Sequence, residues 1–152
     1  MPQKGETKLK LVVIDGQGGG FGRAIIEALR AKGYTGEVLA VGTNALATSA
    51  MLKAGASAGA HRRKCRRGKR RARPGDCRGP PLGPVCLWAQ PACWAECTPA
   101  MAAAIAQSPA VKVLVPAAKC GVQVAGLAPK PLGELIDDAA KKILALLEQQ
   151  DG

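Results

Sequence analysis

The chain has 152 residues, 47% hydrophobic and 22% charged, with aromatic residues at only 3%. That is enough chain for one domain with a core of Ala, Val, Leu and Ile, and too little for a two-domain dehydrogenase. No apolar run approaches the roughly 18 residues of a membrane span, and the polar start Met1–Glu6 does not read as a secretory signal, so a soluble cytoplasmic α/β protein with no membrane partner is expected. The net charge of +11 is local: ten of the 22 Lys/Arg and one of the 11 acids fall within residues 61–78, leaving twelve basic against ten acidic residues elsewhere.

Leu9–Ile14 (LKLVVI) is a short apolar, β-branched run of the kind buried on both faces of a parallel sheet. A glycine-rich stretch, Asp15–Gly22, separates it from Arg23–Ala31, where Ile25, Ile26 and Leu29 have helical spacing and Gly33 can end the helix. Strand, glycine turn and helix together make a phosphate cradle. Glycines let the backbone approach a ligand, and the helix start offers N–H groups and a positive dipole end. The candidate ligand-binding residues here are Gly16, Gln17, Gly18, Gly19, Gly20 and Gly22.

The common G-x-G-x-x-G spacing fails, because its third position falls on Phe21 or Arg23. The spacing G-x-x-x-G-x-G fits at Gly16, Gly20 and Gly22, and resembles the fingerprint of short-chain dehydrogenases/reductases. Two features depart from a dinucleotide site. Asp15 places an acid where a pyrophosphate would sit, and the second strand, Glu37–Val41, ends in Gly42-Thr43-Asn44 with no acid to take a ribose hydroxyl pair. The Tyr-x-x-x-Lys pair is absent too: Tyr34 is the only tyrosine, and Val38 stands four residues on. Thr43 or Asn44 can cap a helix over Ala45–Ala54. Both lie at the strand edge where open α/β sheets bind ligands, and they complete the candidate binding set.

Downstream, Thr98-Pro99 starts a helix through Gln107, Val111–Val115 is a strand, and Val122–Ala125 reads as a short edge strand. A last helix from Pro131 carries Leu132, Leu135, Ile136, Ala139, Ile143, Leu146 and Leu147 on one face. Asp137, Asp138, Lys141 and Lys142 form its solvated face. Cys120, after Lys119 just past a strand end, is the other catalytic candidate beside Asp15, since a neighbouring ammonium favours its thiolate.

The strings VVIDGQGGGFGRAIIEAL, VGTNALATSAMLKAGA, ECTPAMAAAIA, KVLVPAAKCGVQVAGL and PLGELIDDAAKKI, about three quarters of the chain, resemble a small bacterial family known only as a domain of unknown function. The resemblance implies a cytoplasmic three-layer Rossmann-like parallel sheet spanning residues 1–152 as a single domain, with no activity to carry over. Three functions stay open. The first is binding of a nucleotide, NAD(P) included, or of another small anion at the glycine loop. The second is an oxidoreductase or transferase using Asp15, Asn44 and Cys120. The third is nucleic-acid binding through the basic stretch, where clustered Lys/Arg would neutralise phosphates.

Residues 60–97 break the family pattern. They hold the ten basic residues, five of six cysteines, both tryptophans and Pro74, Pro80, Pro81, Pro84 and Pro91. The resemblance implies a Thr-Gly-Glu-Asn string and a valine-rich strand there, then a second strand. His61–Lys69 can be encoded so that dropping one base reads TGENAVVVN, a family-like strand, and Arg70–Arg78 likewise as AARDRVIAG. The segment therefore reads as out of frame, and residues 61–93 are expected to be coil with no paired strand. Cys65, Cys77, Cys86, Cys93 and Cys97 are separated by 11, 8, 6 and 3 residues. That spacing lacks the tight pairs of a zinc site, so no metal is expected, and disulfides are not expected in a cytosolic chain.

Overall fold

A computed structural model describes residues 11–61, 85–89, 99–116 and 125–151. The elements run β1 (Leu11–Asp15), α1 (Gly20–Ala31), β2 (Val38–Gly42), α2 (Ala45–Lys53), β3 (Ala58–His61), β4 (Val85–Ala89), α3 (Pro99–Gln107), β5 (Val111–Val115) and α4 (Leu132–Asp151). The strands form one sheet in the order β3-β2-β1-β4-β5, and every neighbouring pair is parallel. Helices flank this sheet, the arrangement of a Rossmann-like α/β fold. The apolar run at 11–14 is buried throughout because β1 is central, and alternate residues serve opposite faces. Leu11 and Val13 join Val38, Ala40, Val113 and Val115 against Ile25, Ile26 and Leu29 of α1 and Ala139, Ala140 and Ile143 of α4. Val12 and Ile14 pack instead with Ile105 of α3 and Ala110. Among the described residues no helix is long and apolar enough to cross a membrane.

The order of strands reverses once. From β1 the chain steps one way to β2 and β3, then passes to the other side of β1 for β4 and β5. The reversal lies between β1 and β4. In open α/β sheets the carboxyl ends of the strands at such a reversal are where ligands are generally held.

Several elements differ from the sequence expectations. The expectation of a disordered or malformed segment with no paired strand between 61 and 93 is overturned at two places. His61 ends β3, paired with Gly42, and Val85–Ala89 is a strand paired with both β1 and β5. The sequence VCLWA is uncharged and free of proline, so its backbone can join the ladder even though its flanks are rich in both. Residues 62–84 and 90–97 lie outside the described residues, as do Leu9 and Lys10 of the expected first strand and Thr98 of the expected cap. The sequence does not announce β3, because Ala-Gly-Ala carries none of the β-branched signal. Neighbours place it instead. Ser57 N–H donates to the Val38 carbonyl (2.9 Å), and the Thr48 hydroxyl donates to the Ala60 carbonyl (3.1 Å). Of the expected edge strand at Val122–Ala125, Ala125 lies in a turn and residues 122–124 are outside the described residues.

Two polar ties close the core at the end of the sheet remote from the glycine loop and along α4. Arg30 of α1 spends its guanidinium on backbone carbonyls: Nε and one terminal nitrogen donate to Gly55 (3.1 and 2.8 Å), the other to Tyr34 (2.7 Å) and Gly36 (2.9 Å). A lysine has one point of charge and cannot reach three carbonyls at these angles. Arg30→Lys is therefore expected to cost about 1–3 kcal/mol of unfolding free energy in urea titrations, since at least two carbonyls lose their donor.

The other tie adds a partner from the residue that follows α1 to the expected solvated face of α4. Asp137 bonds both Lys141 on its own helix and Lys32 beyond α1, each at 2.7 Å. The two ammonium groups, Lys141 first, hold its carboxyl down to about 2 from an ordinary 3.8. A depressed carboxyl stabilises the fold above its unfolded value, and that contribution drains away as pH falls from about 3.8 towards 2. An NMR titration is expected to place the Asp137 carboxyl midpoint near 2 at low salt. Asp137→Asn should flatten the stability profile over that interval, and added salt should shrink the difference.

Candidate functional site

The site is assembled where β1 and β2 end side by side, Asp15 opposite Gly42. The chain leaves β1 through a turn closed by the Gly19 N–H donating to the Gly16 carbonyl (2.9 Å) and enters α1 at Gly20. The helix begins three residues before the expected Arg23. Glycine is a poor helix former, so the sequence reads Gly20 and Gly22 as turn. What starts the helix early is Asp15. Its buried carboxylate, 4% exposed, accepts from the Gly16 N–H through one oxygen and the Gly22 N–H through the other, both at 2.7 Å. Gly22 is the third residue of α1, and its N–H is the group an N-cap side chain normally satisfies. The N-cap position holds Gly19, which has no side chain. Asp15 thus caps α1 from the tip of the preceding strand, and a carboxylate there also complements the helix dipole.

Gly19 is held in the left-handed region, φ +73°, and is pressed onto α2. A Cβ there would stand 2.6 Å from the Ala47 carbonyl oxygen and 2.8 Å from the Ala47 Cα. Gly18 and Gly20 on either side differ: a Cβ on each would meet nothing within 4 Å. Gln17, at the turn tip, is the one non-glycine among the described residues with positive φ, 49°. Its carbonyl accepts from the Asn44 side-chain amide (2.9 Å), while the Asn44 carboxamide oxygen accepts from the Ala47 N–H (2.8 Å) and caps α2. Thr43 N–H donates to the Asp15 carbonyl (3.0 Å).

The structure therefore gathers Asp15, Gly16, Gln17, Gly18, Gly19, Gly20, Gly22, Thr43 and Asn44 at one edge. Cys120 and its neighbour Lys119 lie outside the described residues. Two residues that support the site went unnoticed as such in the sequence. Thr48 is buried and its hydroxyl accepts from the Gly42 N–H (3.2 Å), and Ala47 is the backbone anvil for Gly19. The available signal is Thr48-Ser49, a polar pair set between alanines in an otherwise apolar helix. Every buried side-chain nitrogen and oxygen among the described residues has a partner, and these residues hold no cluster of His, Cys, Asp and Glu able to bind a metal.

Chemically, the edge offers backbone rather than side chains. Gly20 and Phe21 open α1, so their N–H groups have no acceptor within the helix. The third, on Gly22, is taken by Asp15. At the end of β2 no carboxylate is available for a ribose diol, and Asn44 is engaged at both ends of its amide.

The sequence profile of the family described as Domain of unknown function (DUF3842) matches residues 10–148. The chain belongs to this family. The DUF3842 match starts one residue before β1 and ends within α4, so it takes in the whole sheet and the glycine loop. It names an uncharacterised family, as the sequence strings implied, and assigns no activity. No curated protein and no solved structure matches the chain.

Proposed function

We propose that this DUF3842 protein is a three-layer Rossmann-like domain that binds a nucleotide or another small anionic ligand at the Gly16–Gly22 loop. The observation that carries the reading is the position of the loop: it opens at the carboxyl edge of the sheet, at the reversal of strand order, with the start of α1 behind it. The open space over Gly18 and Gly20 supports close approach by a ligand, with Gly16, Gly19, Gly22, Thr43 and Asn44 shaping the rim. Asp15 has both oxygens bound by backbone N–H groups, which favours a binding loop over a catalytic base. Its charge behind the loop favours a single phosphate- or carboxylate-sized group over a buried pyrophosphate.

Gly20→Asp separates this reading from a purely structural one. The position has room for a side chain, and an acid in the first helical turn favours the helix dipole, so the variant is expected to unfold at or above the wild-type midpoint. The same charge repels an anion. Calorimetric titration with inorganic phosphate, ATP, NAD and NADP should give saturable binding of at least one of them to the wild type, weakened more than tenfold in G20D. Equal binding by G20D, or no heat from the wild type with any of the four, contradicts the reading.

We also propose that the basic, Cys- and Pro-rich sequence within 60–97 is an out-of-frame reading of the family's strands. Its support is the confinement of ten basic residues and five cysteines to one stretch between two intact family strings. β4 falls within the stretch and is short and uncharged. The coding DNA decides it: compensating single-base changes on the two sides of the segment are expected, and an unbroken family-wide frame would contradict them. With a genuine frame, the ten cations become a nucleic-acid arm whose affinity falls steeply with salt and disappears on deletion of 61–78.

A further inference from the structure

We infer that Asn44 is a positioning residue that sets the shape of the glycine loop, and makes ligand affinity at the loop depend on the start of α2. The inference rests on the binding reading above and adds how that site is held. The loop has few means of holding itself. Its inner end is fixed by Asp15, through Gly16 and Gly22, but its tip is Gln17-Gly18, exposed, with Gln17 at φ 49° where a side chain is disfavoured. A bond reaches this tip from the start of α2: the Asn44 amide donates to the Gln17 carbonyl, 27 positions away in sequence. The same amide caps α2 through Ala47, and the carbonyl of Ala47 is the surface on which Gly19 rests. Asn44 and Ala47 thus fix the loop at two points, Gln17 and Gly19 on either side of Gly18, from one helical turn. Fixing an unliganded loop in its bound shape raises affinity by removing an ordering cost from the binding step. An asparagine serves where serine would not: a hydroxyl also accepts and donates, but the amide carries its donor and acceptor on separate atoms with a longer reach, so it can cap one element while holding another.

That difference supplies the test. In Asn44→Ser the hydroxyl still caps α2, since serine ranks with asparagine at that position, but it is too short to hold the Gln17 carbonyl. Asn44→Ala loses both bonds. Hydrogen exchange on the full chain is expected to show the Gly19 amide, which closes the turn onto the Gly16 carbonyl, exchanging faster in both variants by about threefold to tenfold, the equivalent of one net hydrogen bond. The Ala47 amide should stay protected in N44S and lose protection in N44A. Inorganic phosphate affinity should fall by a similar factor in both variants, although N44S keeps its helix. Loop exchange unchanged in N44S overturns the anchoring, whatever the protein binds. Faster exchange with wild-type phosphate affinity overturns the link to binding. A wild type that binds no probe is seen before any variant is compared, and brings down the parent reading and the affinity link together.

Discussion

Gly19→Ala is expected to lower the unfolding free energy by about 3 kcal/mol, while Gly18→Ala and Gly20→Ala, one residue to either side, change it by less than about 1 kcal/mol. The estimate has two parts. A left-handed backbone costs an alanine about 1 kcal/mol relative to glycine. A methyl group forced against a packed neighbour adds about 1–3 kcal/mol. Here the neighbours are backbone atoms, the Ala47 oxygen at 2.6 Å and Cα at 2.8 Å, which cannot rotate aside as a side chain can. Gly18 and Gly20 lack both penalties, and an alanine in the first turn of α1 gains helix propensity. Urea unfolding of the three variants is the measurement. Equal stability of all three would mean that the loop does not rest on α2.

Asp15→Asn is expected to cost about 3 kcal/mol as well, for an electrostatic reason. The carboxylate accepts from two N–H donors, one on each oxygen. An asparagine has one oxygen, and its amide turns N–H groups towards the second donor. One buried N–H then stays unmet, at about 1–3 kcal/mol, and the helix start loses its compensating charge. The readout discriminates between roles. A side chain kept for catalysis can be replaced with little loss of stability or even a gain, so wild-type stability in D15N would contradict its role as the cap of α1.

Asp15 also shows how far the sequence was legible. Its position at a strand tip before a glycine run was plain, and the strand–turn–helix unit followed from it. Its role was not, because the group it caps lies seven residues on, across a turn whose φ values set the geometry; read without them, the acid looks like an obstacle to phosphate. Asn44 was legible as a cap from its place before ALATSAM, yet its second bond runs to a carbonyl in another crossover, and such pairings come only with the parallel register of β1 and β2. β3 and the pairing of β4 were missed for one reason. Both are placed by neighbours: Thr48 and Val38 for the first, β1 and β5 for the second. The apolar stripe of α4 is legible from Leu135 to Leu147, because its pattern repeats and the core it covers is continuous, whereas Leu132 at the helix start is 49% exposed. The tie from Lys32 to Asp137 had no sequence signal, since it joins residues a hundred positions apart.

The binding reading is met most directly by mapping amide shifts of the isotope-labelled protein during a titration with inorganic phosphate, then with ATP and NAD. Saturable shifts centred on Gly18, Gly20 and Phe21, with Gly22 less affected because its N–H is held by Asp15, are the predicted result. Loop amides that stay fixed while shifts spread over exposed lysines of α4 would contradict it.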